Sequence, residues 1–141
     1  MAKDYYAEIY LHLTWHVAPA SARIGRAFEP KLWDYIQAKC AELDVEAIEI
    51  GGTADHVHLL VAMPPHLSVS HLVGKVKGSS SHYVNQQVRP RKKFGWQHGY
   101  GCLSFAKRDL AALRQYVQRQ KAHHAEGRAR ALLERFGPKG H

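Results

Sequence analysis

Three features of this 141-residue sequence predict a mixed α+β fold. Short runs that alternate apolar and polar residues carry the β period, and they are interleaved with runs of helical apolar spacing. These runs follow the order βαββαβα. The length suits one compact core without disulfides or structural metals, so a single domain over residues 1–141 is expected.

The elements follow in chain order. Ala7 to His16 forms the first strand, with Ile9, Leu11, Leu13 and Trp15 on one face and Tyr10, His12, Thr14 and His16 on the other. Ala18 to Arg26 is small, polar and turn-forming, and from Glu29 to Leu43 the residues Leu32, Trp33, Ile36, Cys40 and Leu43 fall at helical spacing. Val45 to Ile50 reads as a strand that Gly51-Gly52 breaks, and His56 to Met63 as another that Pro64-Pro65 ends, the two making a hairpin. Ser68 caps a helix through Val69, Leu72, Val73 and Val76 that either continues past Ser79-Ser80-Ser81 toward Val84 or ends at the serines. Arg89 to Lys93 is a basic loop. Phe94 to Phe105, rich in aromatics and glycines, supplies the last strand, and Asp109 caps a final helix through His123 or His124. Residues 127–141 are expected as a short helix and a flexible tail. The order matches a ferredoxin-like, RRM-like antiparallel sheet with helices on one face and an additional C-terminal helix bearing Tyr116.

Composition narrows the partners. Apolar residues at 45% and charged residues at 23% are ordinary globular usage, which argues against a disordered or fibrous chain. A net charge of +8 and a pI near 9.7 favour a polyanion, with nucleic acid the leading class, because each neutralised phosphate releases counterions. Cys40 and Cys102 form neither a CxxC pair nor a disulfide framework and read as reduced core or near-core residues. The N-terminus lacks a hydrophobic signal core, and no apolar run approaches bilayer length, so a cytoplasmic protein without a membrane partner is expected.

Two motifs carry chemistry. His56-Val57-His58 lies in a strand, where residues two apart share a face, so the imidazoles project side by side and can chelate a cation while Val57, Leu59, Val61 and Met63 fill the other face. With 11 histidines in the chain, counting alone predicts roughly one such pair, so the motif also reads as two half-exposed strand histidines. Asp55, directly before the pair, can orient one imidazole from behind. On the last helix Tyr116 and Gln120 lie one turn apart on one face, beside an apolar stripe of Leu110, Leu113 and Val117. Taken alone, Tyr116 also reads as an amphipathic anchor and Gln120 as a solvated residue.

Four ordered blocks are specific as a set: Gly51-Gly-Thr-Ala-Asp-His-Val-His-Leu-Leu-Val61, Lys75-Val-Lys-Gly-Ser-Ser-Ser81, Phe94-Gly-Trp-Gln-His-Gly-Tyr-Gly101, and Tyr116-Val-Gln-Arg-Gln120 with His123-His124. Over most of its length the chain resembles the single-tyrosine, HUH-type transposases of the IS200/IS605 group, the IS200-like transposase family. The resemblance implies a homodimer in which His56 and His58 are metal ligands, Gln120 is the third ligand and Tyr116 is the nucleophile. In that family the tyrosine helix can serve the partner's histidine pair. The implied reaction cuts and rejoins single-stranded or hairpin DNA through a 5′-phosphotyrosine, using Mg²⁺ or Mn²⁺ and no nucleotide cofactor. The implied setting is the bacterial cytoplasm, on the nucleoid when DNA is bound.

Lys75, Lys77, Arg89, Arg91, Lys92 and Lys93 are candidates to track the DNA backbone, and Trp96 and Tyr100 either stack on bases or pack in the core or a dimer interface. The chain departs from the family pattern at His16 to Arg23, where a Lys/Arg-bearing segment is usual, and in a shortened tail after His124. Three competing readings are weaker. A histidine-triad hydrolase would need a third histidine where Leu60 stands. A domesticated, non-mobile protein binding DNA or RNA hairpins would not need Tyr116 and Gln120, and a water-using nuclease would not need Tyr116.

Overall fold

The computed structural model describes residues 4–120. Four strands, β1 (Tyr10–His16), β2 (Glu46–Gly52), β3 (His56–Ala62) and β4 (Gly101–Phe105), accompany three helices, α1 (Glu29–Glu42), α2 (Val69–Tyr83) and α3 (Leu110–Gln118). The sheet order is β2-β3-β1-β4 with each neighbouring pair antiparallel, the split βαβ arrangement that the element order predicts.

Period-2 alternation divides the sheet into two chemically different faces. Leu11, Leu13 and Trp15 of β1 and Val57, Leu59 and Val61 of β3 point into the main core, where they meet Leu32, Ile36 and Cys40 of α1 and Leu72, Val73 and Val76 of α2. Pro30 in the first turn of α1 leaves no intrahelical hydrogen bond unmade, and Glu29 and Lys39 complement the helix dipole at its two ends. Ser68 Oγ accepts the His71 amide at 3.1 Å and starts α2 as the sequence predicts.

The serine run lies inside α2. Ser79, Ser80 and Ser81 donate to the carbonyls of Lys75, Lys77 and Gly78, so their hydroxyls are satisfied without breaking the helix. A π-helical turn, Val84–Val88, follows, and Arg89 at φ 55° ends it.

Several boundaries and placements differ from expectation. β1 begins at Tyr10 and not at Ala7, and Ile9 is exposed. The last strand is only Gly101–Phe105, because Phe94 turns into the core and Trp96 makes one isolated bridge to Val17. Asp109 stands at the start of α3 after a short 3₁₀ turn and makes no side-chain cap. α3 itself stops at Gln118, with Arg119 in a turn, and the expected continuation to His124 and the tail over 127–141 lie outside the described residues. Cys40 is buried, and desolvation pushes its thiol up to about 11. Cys102 is exposed on the edge strand β4 and is not a core residue.

α3 packs on the second face. Tyr116 and Val117 form a smaller core with Leu60, flanked by Ile48, Phe105, Leu110 and Leu113. A bulge between Ala47 and Glu49 leaves Ile48 as the unpaired residue that joins this cluster. Gly51 and Gly52 do not break β2; they pair with His58 and Val57. Their missing side chains are a matter of space. A Cβ on Gly51 would lie 2.5 Å from the Val117 carbonyl oxygen, and one on Gly52 would lie 2.1 Å from the His56 carbonyl oxygen.

Gly51→Ala is expected to push α3 off the sheet and to lower stability by about 1–3 kcal/mol, the usual cost of overpacking. Urea unfolding measures it; an unchanged midpoint would mean that α3 is not seated on β2.

Candidate active site

Antiparallel register assembles the site. β1 sets His16 opposite His56 and Thr14 opposite His58, and cross-strand partners share a face. His12, Thr14 and His16 therefore join His56 and His58 on the face that α3 covers. His12, Thr14, His56 and His58 are all at most 2% exposed. The alternation of β3 alone leaves this face open; the docked α3 closes it.

Each ligand-candidate histidine is held at Nδ1. His56 Nδ1 donates to Asp55 Oδ1 at 2.8 Å and lies 3.0 Å from Thr53 Oγ1, while Thr53 Oγ1 donates to the same carboxylate oxygen at 3.1 Å. Partial burial pushes the Asp55 carboxyl up, but the hydrogen bonds from His56 and Thr53 and the nearby imidazoles outweigh it and hold the group below its ordinary value. His58 Nδ1 meets His12 Nε2 at 2.8 Å. The His56 and His58 rings are 5.0 Å apart between centroids, and His16 stacks on His56 at 4.9 Å.

The α3 segment completes the arrangement. Gln120, 1% exposed, gives an amide hydrogen to the Tyr116 carbonyl at 3.4 Å and faces its Oε1 to His56 Nε2, also at 3.4 Å. With Nδ1 donating to Asp55, a neutral His56 presents a lone pair at Nε2, so two acceptors converge. That donor set fits a divalent cation. The Tyr116 ring stands edge-on to His58 at 5.7 Å and to His12 at 6.2 Å and is 4% exposed. His16, Asp55 and His56 also bring ligand atoms within 4.8 Å of one another.

The structure thus brings His56, His58, Asp55, Tyr116 and Gln120 together within one chain. The candidate DNA contacts lie elsewhere. Lys75 is exposed on α2, and Arg89, Arg91, Lys92 and Lys93 are exposed on the loop that follows. Lys77 is tied down: its Nζ donates to the carbonyls of Gln97 and Gly99 at 2.7 and 2.8 Å, and burial lowers its pKa. Trp96 packs against Trp15 and Phe94 and donates its indole N–H to Ser80 Oγ at 2.9 Å, and Tyr100 packs partly buried on the core. The same segment reaches the site, since Gln97 N donates to the His16 carbonyl at 2.8 Å. Sequence reasoning assigned no role to His12, His16 or Thr53. The alternation of β1 had already put His12 and His16 on one face; the missing fact was the register against β3, which sets His16 opposite His56 and His12 diagonal to His58.

Comparison with known proteins points to one family. The model of the IS200-like transposase family matches residues 5–120. Transposases for insertion sequence element IS200 from Salmonella typhimurium and Salmonella typhi are each 31% identical over 86 residues, 57% of this chain and 56% of theirs. The chain thus spans little more than half the length of these curated relatives. A Deinococcus radiodurans protein described as a transposase superposes with a TM-score of 0.63 at 20% identity, covering 85% of this chain and 96% of that one. A REP-associated tyrosine transposase solved bound to a REP hairpin gives 0.64 at 13% identity, covering 88% and 73%. At these identities the two structures establish likeness of fold.

Lys77→Met removes a charged donor from two carbonyls and is expected to cost about 1–3 kcal/mol of stability. Thermal or urea unfolding checks it, and an unchanged stability would return Lys77 to the set of free surface cations.

Proposed function

We propose, for a chain that belongs to the IS200-like transposase family, that it cuts and rejoins single-stranded or hairpin DNA with Tyr116 as nucleophile. The observation that carries this reading is the convergence of His56 Nε2 and Gln120 Oε1, 3.4 Å apart, beside the Tyr116 ring that abuts His58. His56, His58 and Gln120 would hold a divalent cation, Mg²⁺ by abundance or Mn²⁺ by its tolerance of nitrogen ligands, with Asp55 fixing His56 from behind. When bound, such a cation would supply Lewis-acid polarisation of the scissile phosphate and charge stabilisation for the departing 3′ oxygen.

Tyr116 Oη attacks phosphorus, loses its proton and forms the phosphotyrosine bond as the bond to the 3′ oxygen breaks and that oxygen gains a proton. A free tyrosine titrates near about 10, so at neutral pH the hydroxyl is a weak nucleophile without such assistance. The ester keeps the bond energy, and another strand's 3′-hydroxyl reverses the step without ATP. α3 holds Tyr116 in place through the packing of Tyr116 and Val117 with Leu60. The exposed cations Lys75, Arg89, Arg91, Lys92 and Lys93 track the DNA backbone, and the Phe94–Tyr100 segment leads from them to His16. Two copies acting together in the bacterial cytoplasm complete the reading. Among the described residues no helix is long and apolar enough to cross a membrane.

With Mn²⁺ and labelled single-stranded hairpin DNA from the flanks of its own coding sequence, the protein is expected to give a covalent band on a denaturing gel. Tyr116→Phe abolishes that band and His56→Ala or EDTA reduces it at least about 100-fold; normal cleavage by Tyr116→Phe overturns the assignment of the nucleophile. Arg91→Ala and Lys92→Ala together are expected to flatten the dependence of log affinity on log salt by about 0.7 for each phosphate no longer neutralised, read by anisotropy at several salt concentrations.

A further inference from the structure

β1 lends its polar face to the site, and one residue on it has no assigned part in the chemistry. His12 is 2% exposed, and the residues opposite it are Leu60 on β3 and Leu103 on β4. Those neighbours would suit an apolar side chain, and on the other face of β1 the positions on either side of it are leucines, Leu11 and Leu13. An imidazole buried there costs free energy unless it is hydrogen-bonded. Its Nε2 lies 2.8 Å from His58 Nδ1, on the diagonal across the two strands, with the ring centroids 5.0 Å apart.

We propose that His12 is a positioning residue for His58: its Nε2 accepts the Nδ1–H of His58, which turns His58 Nε2 into a lone pair aimed at the cation site. The inference rests on the reading of His58 as a ligand. It follows from the parallel with His56, whose Nδ1 gives its hydrogen to Asp55 and whose Nε2 faces Gln120 Oε1. Both imidazoles are then locked at Nδ1, one by a carboxylate from the β2–β3 turn and one by a neutral imidazole from β1. The choice of partner matters for charge. A carboxylate at each histidine would put two anions around the cation, whereas His12 fixes the ring without adding charge. A free histidine in water favours hydrogen on Nε2, the form that cannot bind metal through that atom, so an acceptor at Nδ1 is what selects the competent tautomer. His12 also stands edge-on to Tyr116 at 6.2 Å, so the residue that sets the His58 tautomer lines the wall on which the nucleophile rests.

The test combines metal affinity with a direct reading of the tautomer, on the full chain without DNA. Mn²⁺ binding followed by electron paramagnetic resonance is expected to weaken about 10- to 100-fold in His12→Phe. It should recover most of that loss in His12→Gln, whose amide oxygen reaches the place of Nε2 and can accept the same hydrogen. In ¹⁵N-histidine spectra recorded above the ordinary histidine titration range, wild-type His58 is expected as the Nδ1–H form, with His12→Phe moving it toward Nε2–H. Wild-type Mn²⁺ affinity in His12→Phe, alongside lost affinity in His58→Ala, overturns the role of His12 and leaves His58 standing as a ligand. Undiminished binding by His58→Ala removes the ligand reading and this proposal with it. Weaker binding in His12→Phe without a change of tautomer, or without recovery in His12→Gln, assigns His12 to packing and overturns the proposal. Should His12→Phe fail to fold, the wild-type spectrum decides, because His58 carrying its hydrogen on Nε2 overturns it.

Discussion

The contact between β2 and α3 at Gly51 is the constraint on which the site depends. Helix and sheet approach until the Val117 carbonyl lies where a Cβ of residue 51 would be, 2.5 Å away. Val117 sits between Tyr116 and Gln118, so the height and rotation of α3 over the sheet are fixed at the residue next to the nucleophile candidate. Leu60 supports the same turn from β3, and Gln120 is carried one turn further to face His56. A larger residue at position 51 would lift this whole unit. Gly51 is therefore a distance restraint within a paired strand, and Gly52 gives room to the His56 carbonyl in the hairpin; neither is a strand terminator.

Once α3 is seated, it buries a face that would otherwise be wet. Four polar residues under it, His12, Thr14, His56 and His58, are at most 2% exposed. Apolar residues at the same positions would give a more stable sheet, since buried polar groups at best break even through their hydrogen bonds. The network offsets that cost by pairing Nδ1 of each central imidazole, with Asp55 and Thr53 on one side and His12 on the other. Burial of so much hydrogen-bonding capacity on one face, beside a main core that is almost wholly aliphatic and aromatic on the other, separates the work of the site from the work of folding.

Much of this was legible from the sequence, for a physical reason. Period-2 alternation in Tyr10–His16 and His56–Ala62 and the helical spacing in Leu32, Ile36 and Cys40 are imposed by burial on one face, and they yielded the fold. The spacing of His56, His58, Tyr116 and Gln120 likewise nominated residues that the fold brings together. The failures fall where tertiary contact overrides local preference. Gly51-Gly52 reads as a break unless two close approaches are known, that of a helix from far along the chain at Gly51 and that of the His56 carbonyl at Gly52. Phe94 and Trp96 have strand-like chemistry, but the aromatic pocket of Trp15 and Phe28 draws them out of the sheet. Lys77 looked like its basic neighbours, and only the fold reveals the two carbonyls that hold it.

The role of β1 follows from its place at the centre of the sheet, between β3 and β4. A central strand is paired along both edges, so its backbone is the least free to shift, and side chains that must keep a distance to a reactive group gain most from standing on it. Leu11, Leu13 and Trp15 anchor its inner face in the main core, which fixes the register that sets His16 against His56 and Thr14 against His58. A slip of one residue would exchange these faces, placing leucines under α3 and imidazoles in the core. The hydrophobic pattern of β1 therefore specifies the geometry of its histidines as well as the stability of the sheet, and the precision of the candidate site is inherited from apolar packing on the opposite side.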